Sequence, residues 1–380
     1  MGWDRVIGQD RIKSLLGQIV SSGKIPGAFL FEGPEGVGKD AMAIELAKTL
    51  NCEKGGPEPC DSCTSCRQAT ALQHPNIRLV FSLPRGDSET KDDGPLNKLD
   101  DKTIRKIREE ISLKAQDPYH RISLQKAQVI KISSIREVIR EDSLSLYQRG
   151  RRVVIVMQAE DVGTESANAL LKVLEEPNPG TVFVLTTSKR SALLPTIVSR
   201  CQSLRFDLLS EKEISGALVE RYSVLPADAK LKARLASGSF SKAVELLDTD
   251  TMEIRDEALD ILRDVAIRNY SQISSRARRA LESKDIPRIE TLFKMLQIWL
   301  RDVAVMHFGS TNEIINQDKV ETLEKMVASF DTAHLIEAAN SVDDSLKLLY
   351  GNVNLGLLFV NLLLNLSGLL DKKKEAQNVR

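Results

Sequence analysis

Phe31-Glu-Gly-Pro-Glu-Gly-Val-Gly-Lys-Asp40 decides the architecture. Gly33, Gly38 and Lys39 stand at the spacing G-x-x-x-x-G-K, with Gly36 between the two glycines. A loop of this kind turns its backbone N–H groups onto a phosphate while the lysine meets the phosphate charge. The next position calls for a Ser or Thr hydroxyl to hold Mg²⁺, and here it is Asp40. An apolar run of strand length, Ala28-Phe-Leu-Phe31, precedes the loop, and residues 40–50, rich in Ala, Met, Ile and Leu, read as a helix. Strand, glycine loop, helix is the context a phosphate loop requires.

Working outward, Ile12, Leu15, Leu16, Ile19 and Val20 fall at helical spacing ahead of that strand. Further strands are predicted at 77–81, 152–157 and 181–187, with helical patterns around 133–141 and 164–176. The alternation argues for a mainly parallel α/β sheet covered by helices on both faces. A polar stretch at 85–102, with Gly86, Gly94, Pro95 and many charges, reads as a mobile surface insertion. From about Leu208 the strand signals stop. Residues 211–247 read as a small helical unit and 251–370 as wholly helical, ending in the apolar Leu355-Gly-Leu-Leu-Phe-Val-Asn-Leu-Leu-Leu-Asn-Leu366. A helix with so few polar faces is expected inside a bundle or against other subunits. Lys372 to Lys374 read as a solvated helix end rather than a DNA contact. The expected domains are 1–207, 208–250 and 251–380.

Bulk properties narrow the function. With 53 basic and 53 acidic residues the formal charge is zero, so there is no basic field to hold DNA unaided. Aromatics at 4% suit Leu- and Ala-rich helices. No stretch reaches about 18 uninterrupted apolar residues and no signal-peptide core opens the chain, so a cytoplasmic protein with no membrane contact is expected.

Four of the five cysteines, Cys52, Cys60, Cys63 and Cys66, have the spacing C-x7-C-x2-C-x2-C, which brings four thiolates within reach of one tetrahedral Zn²⁺. Gly55, Gly56, Pro57 and Pro59 supply the turns of such a knuckle. A disulfide pair is the main alternative and is disfavoured in a cytoplasmic setting. Four protein ligands leave no open position, so the metal would be structural. Cys201 stands apart and reads as a small buried hydrophobe.

A phosphate loop followed by a four-cysteine knuckle at 52–66 resembles the bacterial clamp-loader subunits of DNA polymerase III, which are AAA+ proteins. Val6-Ile-Gly-Gln9 is similar to the segment that lies over the adenine base in that family. Asn168-Ala-Leu-Leu-Lys-Val-Leu-Glu-Glu-Pro177 is similar to the helix after its Walker B strand, and Leu194-Pro-Thr-Ile-Val-Ser-Arg-Cys201 carries its Ser-Arg-Cys motif. The resemblance is strong over residues 2–250 and implies a nucleotide-binding AAA+ module, a helical lid and a helical collar that joins a hetero-oligomer.

Within the family the subunit can be a gamma/tau motor, a delta wrench or a delta prime stator. A motor needs two acids at the end of the Walker B strand, one for Mg²⁺ and one to polarise the attacking water. Counting back from Asn168 by the family's spacing puts Met157 and Gln158 there; a shifted register would bring Glu160 or Asp161 in instead. Asp40 is repelled by triphosphate unless the ion is present, and it also suits a helix N-terminus by its charge alone. Arg200 matches the arginine that reaches the ATP of a neighbouring subunit. Lys242 stands where the family has its second sensor arginine, and Thr186 and Thr187 fall in the region of the first sensor. The resemblance therefore implies a stator without its own ATPase activity, working in the polymerase holoenzyme beside gamma/tau and delta. Sliding clamp and primed DNA are met through the assembled complex, in the nucleoid-associated replication machinery. Binding of ATP and Mg²⁺ by the loop is left open, as are two rivals, an active gamma/tau-type ATPase and an unrelated phosphate-loop kinase.

Overall fold

A computed structural model describes residues 3–86, 89–90, 93–142, 149–283, 285–309, 314–349, 351 and 353–370; Lys372 to Lys374 lie outside them. The described residues form two compact units, one lying within 1–221 and 236–244 and the other within 222–235 and 245–380.

In the first unit the order is α1 (Asp10–Ser22), β1 (Ala28–Glu32), α2 (Lys39–Leu50), α3 (Thr64–Thr70), β2 (Ile77–Val80), α4 (Asp101–Gln116), α5 (Ile132–Asp142), β3 (Arg152–Val156), α6 (Thr164–Glu175), β4 (Thr181–Thr187), α7 (Pro195–Val198) and β5 (Gln202–Arg205). The strands make one five-stranded sheet in the order β2-β3-β4-β1-β5, parallel throughout. The central strands are buried on both faces, so they read as continuous apolar runs rather than alternating ones. Alternate residues still part company. Leu30, Val154, Val156, Phe183 and Leu185 pack with Ile135 and Val138 of α5 and Leu170 and Leu174 of α6. Phe29 and Phe31 share the opposite face, where the Phe31 ring lies 5.2 Å from that of Phe206.

The sheet sends the C-terminal ends of β1, β3 and β4 to one edge, the place where open parallel sheets bind ligands. Two elements there escape the sequence reading. Strand β5 is short, and its polar Gln202 and Ser203 hide it. Helix α4 lies partly in the stretch read as a mobile insertion: Asp100 caps it by accepting the Thr103 N–H at 2.6 Å. Upstream, Glu89 forms a nearly buried ion pair with Lys131 at 2.7 Å; residues 87, 88, 91 and 92 of that stretch lie outside the described residues.

Helices α8 (Glu211–Tyr222), α9 (Pro226–Ala236) and α10 (Phe240–Glu245) follow, α10 belonging to the first unit. The second unit is helical, with α11 (Thr251–Ala266), α12 (Tyr270–Ser283), α13 (Ile286–His307), α14 (Val320–Ser329), α15 (Thr332–Leu348) and α16 (Leu355–Leu369). Its core gathers Leu262, Phe293, Leu296, Trp299, Val342, Phe359 and Leu362. Trp299 meets its one polar need by donating to the Arg255 carbonyl at 3.1 Å. Helix α16 buries Leu358, Phe359, Leu362, Leu363 and Leu366 but leaves Leu357 71% and Leu364 48% exposed.

Candidate functional site

The phosphate loop occupies the end of β1. Gly33 and Gly38 have φ of 149° and 98°, and a Cβ on Gly33 would lie 2.4 Å from the Phe206 carbonyl oxygen, so only glycine fits there. Gly36, Gly38, Lys39 and Asp40 line a cleft together with Lys114, Tyr119, Arg121, Gln158, Glu160, Thr186 and Ser241. The cleft encloses only about 70 Å³, well under the roughly 300 Å³ at which sites for drug-sized ligands begin. Lys39 Nζ donates to the loop's own Gly33 and Pro34 carbonyls at 2.8 and 2.5 Å. Burial holds this ammonium below the ordinary lysine range, against the pull of Asp40, Glu160 and Glu35.

Asp40, at the position that calls for a metal-holding hydroxyl, is fully engaged. Its Oδ2 lies 3.0 Å from Lys114 Nζ, and its Oδ1 accepts the Thr186 hydroxyl at 2.7 Å. Burial alone would raise the carboxyl, but Lys114 and Thr186 outweigh it and hold Asp40 below the usual carboxylate range. Lys114 is 2% exposed and also donates to the His120 carbonyl at 2.7 Å.

At the end of β3, Met157 is buried and its N–H donates to the Val80 carbonyl at 2.8 Å, as a sheet residue would. Gln158 lies in left-handed backbone and lines the cleft. With its amide oxygen turned toward Arg121 it accepts from Nη2 and Nε, both at 2.8 Å. Arg121 also pairs with Glu35 of the loop. Glu160 reaches the cleft as well, its Oε1 accepting from the Ser188 hydroxyl at 2.7 Å. From α10 it is Ser241, not Lys242, that lines the cleft, and Ser241 donates to the Tyr119 carbonyl at 2.9 Å.

Lys114, Tyr119 and Arg121 are the residues that sequence reasoning missed. A signal existed for α4, since Ile104, Ile107 and Ile111 recur at helical spacing, but dense charge around them masks it. Nothing local marks Tyr119, whose partners Ile7 and Phe240 are distant in sequence.

The cysteines converge. One ligand atom from each of Cys52, Cys60, Cys63 and Cys66 lies within 4.8 Å of all the others, a set able to hold a metal ion. Cys60 and Cys66 sulfurs are 3.9 Å apart, close to the roughly 3.8 Å edge of a tetrahedron built on 2.3 Å metal–sulfur bonds. Hydrogen bonds from Ser62 draw the Cys60 thiol down to about 5, while burial pushes Cys66 up. The knuckle is tied to the phosphate-loop helix: Asp61 accepts a 2.6 Å ion pair from Lys48 of α2, which also meets Glu45 at 2.6 Å.

Arg200 is not among the residues that line the chain's own cleft. Its side chain is a third exposed, with Nη2 2.5 Å from Glu175 Oε1 and Nη1 donating to the Thr196 carbonyl at 2.9 Å. Cys201 beside it packs against the sheet core, and burial raises its thiol to about 11.

Residues 8–210 match the family described as DNA polymerase III, delta subunit, and residues 250–368 match the C-terminal part of that subunit. The delta' subunit of DNA polymerase III from Bacillus subtilis is 29% identical over 94% of this chain and 96% of its own length. The tau subunit from the same organism is 26% identical over 78% of this chain, which spans 46% of that longer protein. A solved gamma subunit-related protein of DNA polymerase III from Thermotoga maritima is 17% identical over 94% of this chain and 99% of its own, with a TM-score of 0.38.

Proposed function

We propose that this chain, which belongs to the DNA polymerase III delta subunit family, is a delta prime-type stator of the clamp loader. It contributes Arg200 to the ATP site of a neighbouring gamma/tau subunit and does not hydrolyse ATP itself. The observation that carries this reading is the end of β3: a buried Met157 and an amide, Gln158, stand where hydrolysis needs carboxylates. Arg200 complements it. One exposed ion pair of this kind is worth about 0–1 kcal/mol, so a neighbour's triphosphate can draw the guanidinium off Glu175.

The four cysteines hold a structural Zn²⁺; closed thiolate coordination leaves the ion no catalytic position. The second helical unit joins the collar of the assembled complex, the exposed Leu357 and Leu364 of α16 facing other subunits. Delta, sliding clamp and primed DNA are partners through that complex.

The test is Arg200→Ala in a complex reconstituted with its gamma/tau and delta partners. An arginine finger is worth about 10³-fold or more in turnover at the site it serves, so single-turnover hydrolysis there should fall by that order while size-exclusion chromatography shows an intact assembly. Unchanged hydrolysis refutes the role. A second reading, an active ATPase, rests on Glu160, a carboxylate that does line the cleft. It requires ATP turnover by the purified chain that Lys39→Ala abolishes; no such turnover is expected.

A further inference from the structure

We infer that residues 114–121 form a resident plug, occupying the space beside the phosphate loop that Mg²⁺ and a nucleoside triphosphate would need. The inference concerns only the chain's own cleft and is independent of what Arg200 does elsewhere.

Three side chains of the segment take three kinds of contact that such a ligand makes. Lys114 supplies the cation. Its ammonium sits 3.0 Å from Asp40 Oδ2 and is almost fully buried. A Mg²⁺ ion on that carboxylate would need a bond of about 2.0–2.1 Å within an octahedral shell, and a second cation cannot share the space with the ammonium. Tyr119 supplies the aromatic ring. It is buried, lies edge-on to Phe240 with centroids 4.9 Å apart, and its Oη accepts the Ile7 N–H at 2.8 Å. An aromatic face and a backbone donor are what a purine seeks in a protein, and the tyrosine has taken both. A Cβ on Gly38 would lie 2.7 Å from that same oxygen, so the ring is pressed against the loop itself. Arg121 closes the remaining side, bridging Glu35 of the loop and Gln158 at the end of β3.

The lining charges balance within this set: Lys39, Lys114 and Arg121 face Glu35, Asp40 and Glu160. A cleft whose formal charges cancel, with Lys114 paired to Asp40 and Arg121 to Glu35, offers a polyanion little net field. Entry would demand that Lys114 leave Asp40, and breaking a buried pair weakens binding by about a hundredfold or more. Together these contacts make the cleft a packed joint between the phosphate loop, α4 and α10, all within the first unit.

The experiment titrates full-length chain with ATPγS and MgCl₂ by calorimetry, comparing wild type with the Asp40→Thr, Lys114→Met, Tyr119→Ala triple variant. The expected result is no micromolar binding by wild type and a gain of about a hundredfold or more in the variant. Micromolar binding by wild type overturns the inference, as does a variant folded by circular dichroism that binds no better. If the variant does not fold, hydrogen exchange on wild type decides. Unchanged protection of residues 36–42 and 114–121 on adding the nucleotide supports the plug, and a nucleotide-dependent rise in protection overturns it.

Discussion

Replacing Lys48 by Met should destabilise the chain strongly near neutral pH and weakly near pH 5. Lys48 is 1% exposed and Glu45 fully buried, and the ammonium contacts Glu45 and Asp61 at 2.6 Å each. Burial already holds the Glu45 carboxyl above its ordinary value, with Lys48 opposing the rise. Without the ammonium, Glu45 either stays charged and unpaired, at a cost of about 3–5 kcal/mol, or takes a proton. Protonation sets the ceiling. Bringing a carboxyl of ordinary value near 4.3 to its neutral form at pH 7 costs about 3.7 kcal/mol, at about 1.36 kcal/mol per pH unit, and at pH 5 only about 1 kcal/mol. The sign follows from linkage: a carboxyl raised on folding binds more protons in the native state, so stability falls as pH rises from its unfolded value toward its folded one. The assay is urea unfolding followed by fluorescence in a Trp299→Phe background, which leaves Trp3 to report on the first unit. Adding Glu45→Gln should recover most of the loss at pH 7. A loss that is the same at both pH values, or that Glu45→Gln does not relieve, would show that lost packing rather than buried charge is responsible.

Cys63→Ser separates the capping role of that side chain from its proposed role as a metal ligand. Its sulfur caps α3 by accepting the Cys66 N–H at 3.3 Å, which a hydroxyl can still do, but the soft ligand is gone. Zinc affinity, measured by competition with a chromophoric chelator, should fall at least about tenfold with helix content unchanged; equal affinity would remove Cys63 from the ligand set. Leu357→Glu with Leu364→Glu should leave the melting temperature of the isolated chain within about 2 °C, because exposed positions contribute little to folding. The same pair should abolish co-elution with the other subunits, and retained assembly would place the collar contact elsewhere.

The loop, the central strands and the cysteine set were legible because each depends on residues near one another in sequence. Gly33, Gly38 and Lys39 announce the cleft's floor, and Val153 to Val156 read as a buried strand from their composition alone. The cleft's other walls were not legible. Asp40 looks like a flaw in a metal site until Lys114 and Thr186, 74 and 146 residues further on, are seen to bind it. Tyr119 is an unremarked aromatic in a polar run until Ile7 and Phe240 close on it. Strand β5 was missed because its register is dictated by β1, with Phe29 opposite Gln202, rather than by apolar residues of its own.

That pairing scheme has a consequence for how the chain is made. β1 lies inside the finished sheet, between β4 and β5, yet both its neighbours lie far downstream, Ala28 pairing with Phe183 and Glu32 with Arg205. At a synthesis rate of about 5–20 residues per second, β1 leaves the ribosome roughly 8–30 s before either partner exists. Throughout that interval an apolar strand with two open edges is exposed, the kind of segment that seeds aggregation. A nearby structure built from residues close in sequence is the cysteine knuckle, complete by Cys66, with Asp61 reaching back to Lys48 on the helix that follows the strand. Metal supply during translation should therefore govern yield of soluble protein more sharply than metal removal affects the finished fold.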